Sequence, residues 1–413
     1  MSISYRGRPL DTKKTYWEGT HRAISPAATL KAITPHFPRF GISRNANITH
    51  LDKIGIPTTL SIRPNSGTLS VCSGKGFTLE AALVSGAMES IELFHAEHVS
   101  LPTIRMSYAD LTEQYAVIPR GDLLLTKYSL FNEDWRYHWT LGWDLITQSE
   151  IAVPIASVEM VRSKRRITEL GAFQVTSNGL ASGNTLSEAI CGAILEVVER
   201  DATSCVRVAW QHTGNPPPLV DLARIRDARV LALLEQLRAA DIATTLFDCT
   251  IDTKIPVYMA FIHDVHVRGV GLYKGYGAHL DPNIAMIRAL TEAVQARVIY
   301  IAGSRDDFFR QEFNRLKRAD NEAALDSIAG LSPAADWPDS RSAPVNESFG
   351  EDICYMIRQL RSVGVEHVIV MDLTVEDLPV SVVKVVIPKL EGYMFDFYTP
   401  GGRARAYSGM VTT

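Results

Sequence analysis

Apolar residues recur at helical spacing in five stretches: from about Thr78 to His98, from about Thr185 to Gln211, over 222–239, from Asp281 to about Ala302, and over 350–363. Shorter runs of alternating or continuous apolar character predict strands. Residues 58–75 read as strand, turn and strand around Pro64-Asn65-Ser66-Gly67, and 150–180, 242–249, 255–263, 267–276, 365–373 and 380–387 are strand-like. Asn47–Pro57 reads as a loop and an edge strand. The Pro/Ser/Asp-rich stretch 331–349 predicts a long surface loop, and 399–413 an extended tail. Strands and helices that mix without strict alternation predict an α+β fold. The expected organisation is an N-terminal segment (1–60) packed on a main domain (61–400), then an extended tail (401–413).

Three of the helices share a finer pattern. Each opens at a capping residue, Thr78, Thr185 or Asp281. Eleven residues after the cap stands Glu89, Glu196 or Glu292, and fourteen after it Glu92, Glu199 or Gln295. Positions 4 and 8 are small: Ala82 and Gly86, Ala189 and Ala193, Ala285 and Ala289. At about 100° per residue, positions 4, 8, 11 and 14 fall in one stripe. Each helix therefore has a face that starts small, for close approach by a helix or a ligand, and ends acidic or amide. If the helices pack side by side, the carboxylates converge, and crowded carboxylates must either take up protons or gather cations. Magnesium, an oxygen-seeking ion commonly completed by phosphates, answers that demand. Arg200 and Arg297 are placed to clamp phosphate oxygens. Glu188 fits a capping box with Thr185 and equally a metal ligand.

Composition narrows the classes. The 413 residues carry a net charge of −4 and 46% hydrophobic residues, so the chain can bury a large core and offers no general basic surface for nucleic acid. Arg162-Ser163-Lys164-Arg165-Arg166 is the one dense basic run and reads as a solvated turn. Five widely spaced cysteines without a Cys-x-x-Cys argue against disulfides and a cysteine zinc site, and fit a reduced cytoplasm. The start lacks the apolar region of a signal peptide, and no apolar window is long enough for a membrane helix.

Other motifs are excluded or weak. Ser73-Gly74-Lys75-Gly76 precedes the first helix but lacks the Walker A spacing; glycine-rich backbone there still suits an anion. There is no Gly-x-Ser-x-Gly and no His-Glu-x-x-His. Glu92-x-x-His95 matches half of a di-iron site, with no second copy on the other two helices. His95, His98 and Cys72 read as structural.

Taken together, these segments resemble the YcaO-domain family. Ser73-Gly74-Lys75-Gly76 with Ser85, Glu89 and Glu92 is similar to its first signature. Ser177-Asn178-Gly179 through Gly183-Asn184-Thr185, then Glu188, Glu196, Glu199, Arg200 and Asp201, is similar to the second. Glu292, Gln295 and Arg297 with Gly303, Arg305, Asp306 and Asp307 is similar to the third. The resemblance covers about Lys14 to Pro400. It implies a YcaO-type α+β fold with mixed sheets and an ATP site without a P-loop. It further implies an activity: ATP phosphorylates a backbone amide oxygen of a peptide or protein, a nucleophile adds to the carbon, and phosphate leaves. By matching positions, Glu89, Glu92, Glu188, Glu196 and Glu199 would hold magnesium. Ser73, Lys75, Asn184, Arg200, Gln295, Arg297 and Lys14 would contact the nucleotide, with Glu89, Glu199, Arg200 and Arg297 at the catalytic centre.

The branch is read from finer likeness. Gly19-Thr20-His21-Arg22, Ser25-Pro26, Asn47–Pro57 and Met394-Phe395 with Pro400 to Arg403 resemble members paired with a TfuA partner, which make thioamides with a sulfur donor. Azoline-forming members often end in Pro-x-Pro-x-Pro, and this chain ends otherwise. Thioamide formation on a precursor peptide or protein is therefore the expectation, with azoline cyclodehydration as its rival. A non-catalytic peptide-binding scaffold and a carboxylate-bridged iron or manganese protein are rivals of other classes. The expected setting is cytoplasmic, with room for a homodimer.

Overall fold

The computed structural model describes residues 3–160, 169, 171–267, 271–305, 318–333, 346–392 and 398–410. The basic run 162–166, Asp306, Asp307, Met394 and Phe395 lie outside them. The described chain opens with a short hairpin, β1 (Ser4–Tyr5) and β2 (Arg8–Pro9), and a helix, α1 (Pro26–Ile33). It then builds an α+β fold from three antiparallel sheets, each the seat of one glutamate-bearing helix.

The first sheet is a meander of β3 (Arg44–Asn47), β4 (Thr58–Ile62) and β5 (Val71–Lys75), packed under α2 (Leu79–Glu97). The largest sheet has the order β6-β7-β13-β14-β9, with β8 paired to β7. Its strands are β6 (Ile104–Ser107), β7 (Arg136–Asp144), β8 (Ser149–Pro154), β9 (Leu180–Gly183), β13 (Ile369–Asp372) and β14 (Ser381–Val386). A short helix, α3 (Tyr108–Gln114), follows β6, and the 28-residue helix α4 (Leu186–Thr213) leaves β9 and packs on β9 and β14. After α5 (Ala228–Ala239), the third sheet is the meander β10 (Ile242–Asp248), β11 (Val257–Asp264) and β12 (Tyr273–Ala278), covered by α6 (Pro282–Ala302). Helices α7 (Arg318–Ala329), α8 (Phe349–Ser362) and α9 (Gly402–Ser408) complete the chain.

Three hydrophobic cores follow. Met88 and Ile91 of α2 pack with Trp139 and Ile369. Ile190, Ile194 and Val198 of α4 pack with Met259 and Ile353. Leu290 and Val294 of α6 pack with Leu246 and Tyr258. Each such burial contributes about 1.5–3 kcal/mol, so the apolar backs of the helices fix their acidic fronts.

Two expectations need correction. The tail expected to be extended contains α9, which packs against α4. Arg403 bonds Asp201 at 2.8 Å and Asp252 at 2.8 Å, Glu391 accepts the Ala404 amide at 2.9 Å, and Gly409 ends the helix in the left-handed conformation. The strand pair β6–β7 was not among the predicted elements. None of the five cysteines is in a disulfide, and four are buried; burial pushes the Cys72 thiol far up, which suits a core residue. No described helix is long and apolar enough to cross a membrane.

Candidate active site

The three glutamate helices begin with one local design. A strand (β5, β9 or β12) runs into a tight turn, and Thr78, Thr185 or Asp281 caps the helix. Thr78 Oγ1 accepts from the Ala81 amide at 3.1 Å, Thr185 Oγ1 from Glu188 at 3.3 Å, and Asp281 Oδ1 from Asn283 at 2.8 Å. Each helix then folds back over its own strand. A Cβ on Gly74 would overlap the Ala82 carbonyl, and one on Gly277 the Ala285 carbonyl, so glycine is required at both. The small residues at positions 4 and 8 therefore receive the preceding strand, not a ligand.

The residues at position 14 lock each unit to the next. Glu92 accepts from the Ser182 amide (2.8 Å) and hydroxyl (2.6 Å) on β9. Glu199 accepts from the Ala278 amide (2.9 Å) on β12. Gln295 donates to Ser73 Oγ (2.9 Å) on β5. Three strand–helix units thus close into a ring. The third link also accounts for the amide: a serine hydroxyl already bonded to an NH2 group closes the circle without adding charge at that point. Inside the ring stand Glu89, Glu196 and Glu292 from position 11. Lys75 of β5 pairs with Glu292 of α6, and Glu292 also accepts the Tyr276 amide at 3.1 Å.

The electrostatics are those of crowded acids. Burial raises Glu92 to about 8 against its Ser182 hydrogen bonds, with Glu196 and Glu89 adding to the rise. Burial raises Glu196 to about 7 against Arg200, with Glu199 adding to it. Glu89 is raised by burial although Arg305 and Lys75 oppose it, and Glu199 by burial and the charge of Glu292. Burial also disfavours the Glu292 anion, but Lys75 and Arg200 outweigh it and hold that carboxyl low. These carboxyls act on one another's charge across one cleft.

All five line one open cleft of about 2370 Å³. Ser73, Lys75, Asn184, Glu188, Arg200 and Gln295 line it too, and so do Arg288, Arg305 and Lys384. The donor set fits magnesium: oxygen-only ligands whose negative charge is under-compensated, with a lysine ammonium seated on one of them. Among the described residues no three acidic, imidazole or thiol groups converge tightly enough to hold an ion as they stand.

The structure does not bring every predicted residue to the cleft. Lys14 is buried in an ion pair with Asp352 (2.6 Å) and donates to the Asn346 carbonyl, tying the N-terminal segment to α8. Arg297 is turned onto Asp52 (2.9 and 3.2 Å) and lies over Tyr273. Neither lines the cleft, so the nucleotide contacts expected of them are corrected to structural ion pairs. Glu188 is at the cleft wall, but its oxygens are taken by the Ala23 amide (3.1 Å), Asn184 and Arg22. That arrangement suits a brace between the N-terminal segment and α4 better than an ion ligand. His95 is a core residue bonded to the Ile91 carbonyl at 2.7 Å, while His98 is exposed.

Four residues escaped the sequence reading. Glu292 was seen in the helix pattern and Arg305 in the third signature, but neither was given a site role, and both line the cleft. Arg288 stands seven residues after the cap of α6, on the stripe of Glu292 and Gln295; it lines the cleft, and its Nε is buried without a hydrogen-bond partner. Lys384 interrupts a valine-rich strand. Its ammonium bonds the Thr176 carbonyl, and burial lowers it to about 8 although Glu196 opposes the fall.

Comparison with known proteins bears on the family and the fold. Residues 73–391 match the family described as YcaO cyclodehydratase, ATP- and Mg2+-binding. An uncharacterised protein encoded in the tfuA 3′ region of Rhizobium leguminosarum bv. trifolii is 34% identical over 90% of this chain and 88% of its own. An uncharacterised protein of Methanothermobacter thermautotrophicus is 34% identical over 93% and 99%. Among solved structures, YcaO from Methanopyrus kandleri bound with AMPPCP and Mg2+ superposes with a TM-score of 0.71 at 23% identity, over 94% of this chain and 100% of that one. A heterocyclase in complex with substrate and cofactor superposes with a TM-score of 0.77 at 21% identity; the chain lies wholly within the match and spans 58% of the heterocyclase. With a family match over 319 residues and relatives alike over nearly their full length, the chain belongs to the YcaO family of ATP- and Mg2+-binding enzymes that modify peptides.

Proposed function

We propose that this enzyme uses ATP and magnesium to phosphorylate a backbone amide oxygen of a peptide or protein, and that it installs a thioamide there with sulfide supplied through a TfuA-like partner. The observation that carries the reading is the ring: five carboxyls from three helices, four of them with raised proton affinity, facing one cleft beside Lys75, Arg200, Arg288 and Arg305. The sulfur branch is supported by the relative encoded beside tfuA.

In this reading Glu89, Glu196, Glu199 and Glu292 would hold the metal, and Glu92 would stand beside them as an acid that can release its proton. Magnesium held there would neutralise charge developing on the γ-phosphoryl group. Lys75, Arg200, Arg288 and Arg305 hold phosphate oxygens, and Ser73 and Gln295 keep β5 and α6 in register. The amide oxygen takes the phosphoryl group and becomes a good leaving group. Hydrosulfide adds to the carbon, the C–O bond breaks, and orthophosphate departs with the proton of the hydrosulfide. No covalent nucleophile from the protein is needed.

A second reading is favoured by the cyclodehydratase description of the family. A Cys, Ser or Thr side chain of the substrate attacks instead and an azoline forms. Mass spectrometry of a peptide treated with the enzyme, partner, sulfide and ATP separates the two. Replacement of one oxygen by sulfur is expected; loss of one water assigns the azoline reaction. An unchanged peptide with no magnesium-dependent ADP formation would remove both.

A further inference from the structure

The acidic end of the cleft is balanced by a cationic end that the nucleotide does not explain. Along α4, Glu196, Arg200 and Arg207 share one face, and all line the cleft. Along β12, Gly275 and Gly277 face α6, so Lys274, Tyr276 and Ala278 face the other way, toward α4. Helix and strand run side by side: Glu199 holds the Ala278 amide, and eight residues on along the helix Arg207 stands near Lys274. From Glu199 to Arg207 is about 12 Å of helix, and from Ala278 to Lys274 about 13 Å of strand.

The two cations are held together with no anion between them. The Lys274 ammonium lies 5.2 Å over Phe261, its cross-strand neighbour. Neither Lys274 nor Arg207 has a hydrogen bond or ion pair among the described residues. Lys274 is exposed at the cleft edge; partial desolvation of its ammonium and, after that, the charge of nearby Arg207 lower its pKa. Arg405, on α9 against α4, lines the same cleft with its Nε buried and unpartnered. Phosphates held at the carboxylate ring do not reach a point about 12 Å away, but a chain lying through the same cleft does. An extended peptide covers that distance in about three to four residues.

We propose that Arg207 and Lys274 form a subsite for a carboxylate of the peptide substrate, about three to four residues along the chain from the amide being activated. This rests on the amide-activation reading. It assigns part of substrate choice to the catalytic domain itself: an acidic side chain, or a chain end, at a fixed distance from the modified position.

The test uses the full chain saturated with magnesium and AMPPCP. The probes are two fluorescein-labelled glycine-rich peptides that differ only in one Glu or Gln. The Glu peptide is expected to bind about tenfold more tightly, as for one charge-assisted hydrogen bond. That preference should vanish in Arg207→Gln and in Lys274→Gln, while both variants keep wild-type affinity for AMPPCP, which also reports their folding. Equal binding of the two peptides to the wild type, absence of binding included, overturns the proposal, as does a preference that survives both substitutions. Orthophosphate binding that is lost in both variants, with the two peptides bound alike, assigns the subsite to the free product and overturns the peptide assignment. Failure of the wild type to bind AMPPCP with magnesium would instead remove the amide-activation reading beneath it.

Discussion

Glu92 and Glu97 stand five residues apart on helix α2, and the protein treats them in opposite ways. Glu97 is locked: Arg63 bonds it at 2.7 Å, and Ser66 and Thr68 donate at 2.7 and 2.5 Å. Burial disfavours its charge, yet Arg63 and the two hydroxyls outweigh that and hold the carboxyl below its ordinary range. Glu92 lies partly exposed on the cleft wall and is offered only the amide and hydroxyl of Ser182, and desolvation raises its carboxyl to about 8. One carboxylate has its counter-charge built into the chain. The other leaves that place to something the chain does not contain. A buried acid without its own cation costs stability when ionised, so the protein retains around the cleft a group of acids that ligands can satisfy.

Four substitutions and one change of conditions can break this contrast, beginning with the largest effect. Glu199→Gln and Glu196→Gln should each lower magnesium-dependent ADP formation about 10²–10³-fold, the usual consequence of losing one preorganised electrostatic contact. Their melting temperature should stay level or rise. Activity within a few-fold of wild type would place these acids outside the chemistry.

Arg63→Ala should do the reverse, destabilising the fold by about 3–5 kcal/mol in urea unfolding, because Glu97 is left buried and unpaired. Its affinity for AMPPCP should be nearly unchanged. A variant as stable as wild type would mean that water relieves Glu97.

Arg297→Ala should also destabilise, by stranding Asp52, whose side chain is 3% exposed. The KM for ATP should remain within about twofold of wild type; a rise of tenfold or more, about 1.4 kcal/mol, would restore Arg297 to the phosphates.

The smallest effect is on pH dependence. Glu92 and Glu196 have folded values of about 8 and about 7 against an ordinary 4.5. The folded state therefore binds more protons than the unfolded chain between about pH 4.5 and 8, and stability without ligands should fall as pH rises through that window. Glu97 works in the other direction: its contribution is present above the ordinary value and is lost as pH falls. Magnesium with AMPPCP should flatten the loss at high pH and release protons on binding near pH 7, measured by calorimetry in buffers of different ionisation enthalpy. Proton-neutral binding would show that these acids are not the ligands.

Much of the site was readable because it depends on local signals. The caps Thr78, Thr185 and Asp281 open helices at the expected residues, and the count of eleven and fourteen from each cap needs only the pitch of an α-helix. What could not be counted was the direction of long side chains. Arg297 lies two residues after Gln295 and so points off the cleft stripe, toward Asp52, 245 residues away in sequence. Strand β7 alternates Tyr137, Trp139 and Leu141, but its pattern is blurred by Gly142, where any Cβ would strike Ile369. Helix α9 starts at two glycines and carries three arginines or aromatics that suggest a solvated tail. Acceptors from elsewhere in the chain explain why it folds back: Asp201, 202 positions before Arg403, with Asp252 and Glu391.

That last contact has a bearing on how a remote segment holds up the cleft wall. Asp201 and Glu391 are both buried, and their donors Gly401, Arg403 and Ala404 all come from the segment that forms α9. Without that segment two buried carboxyls, one of them next to Arg200 in the chain, would lose their donors. Loosening α9 should therefore act as a brake on catalysis from outside the carboxylate ring.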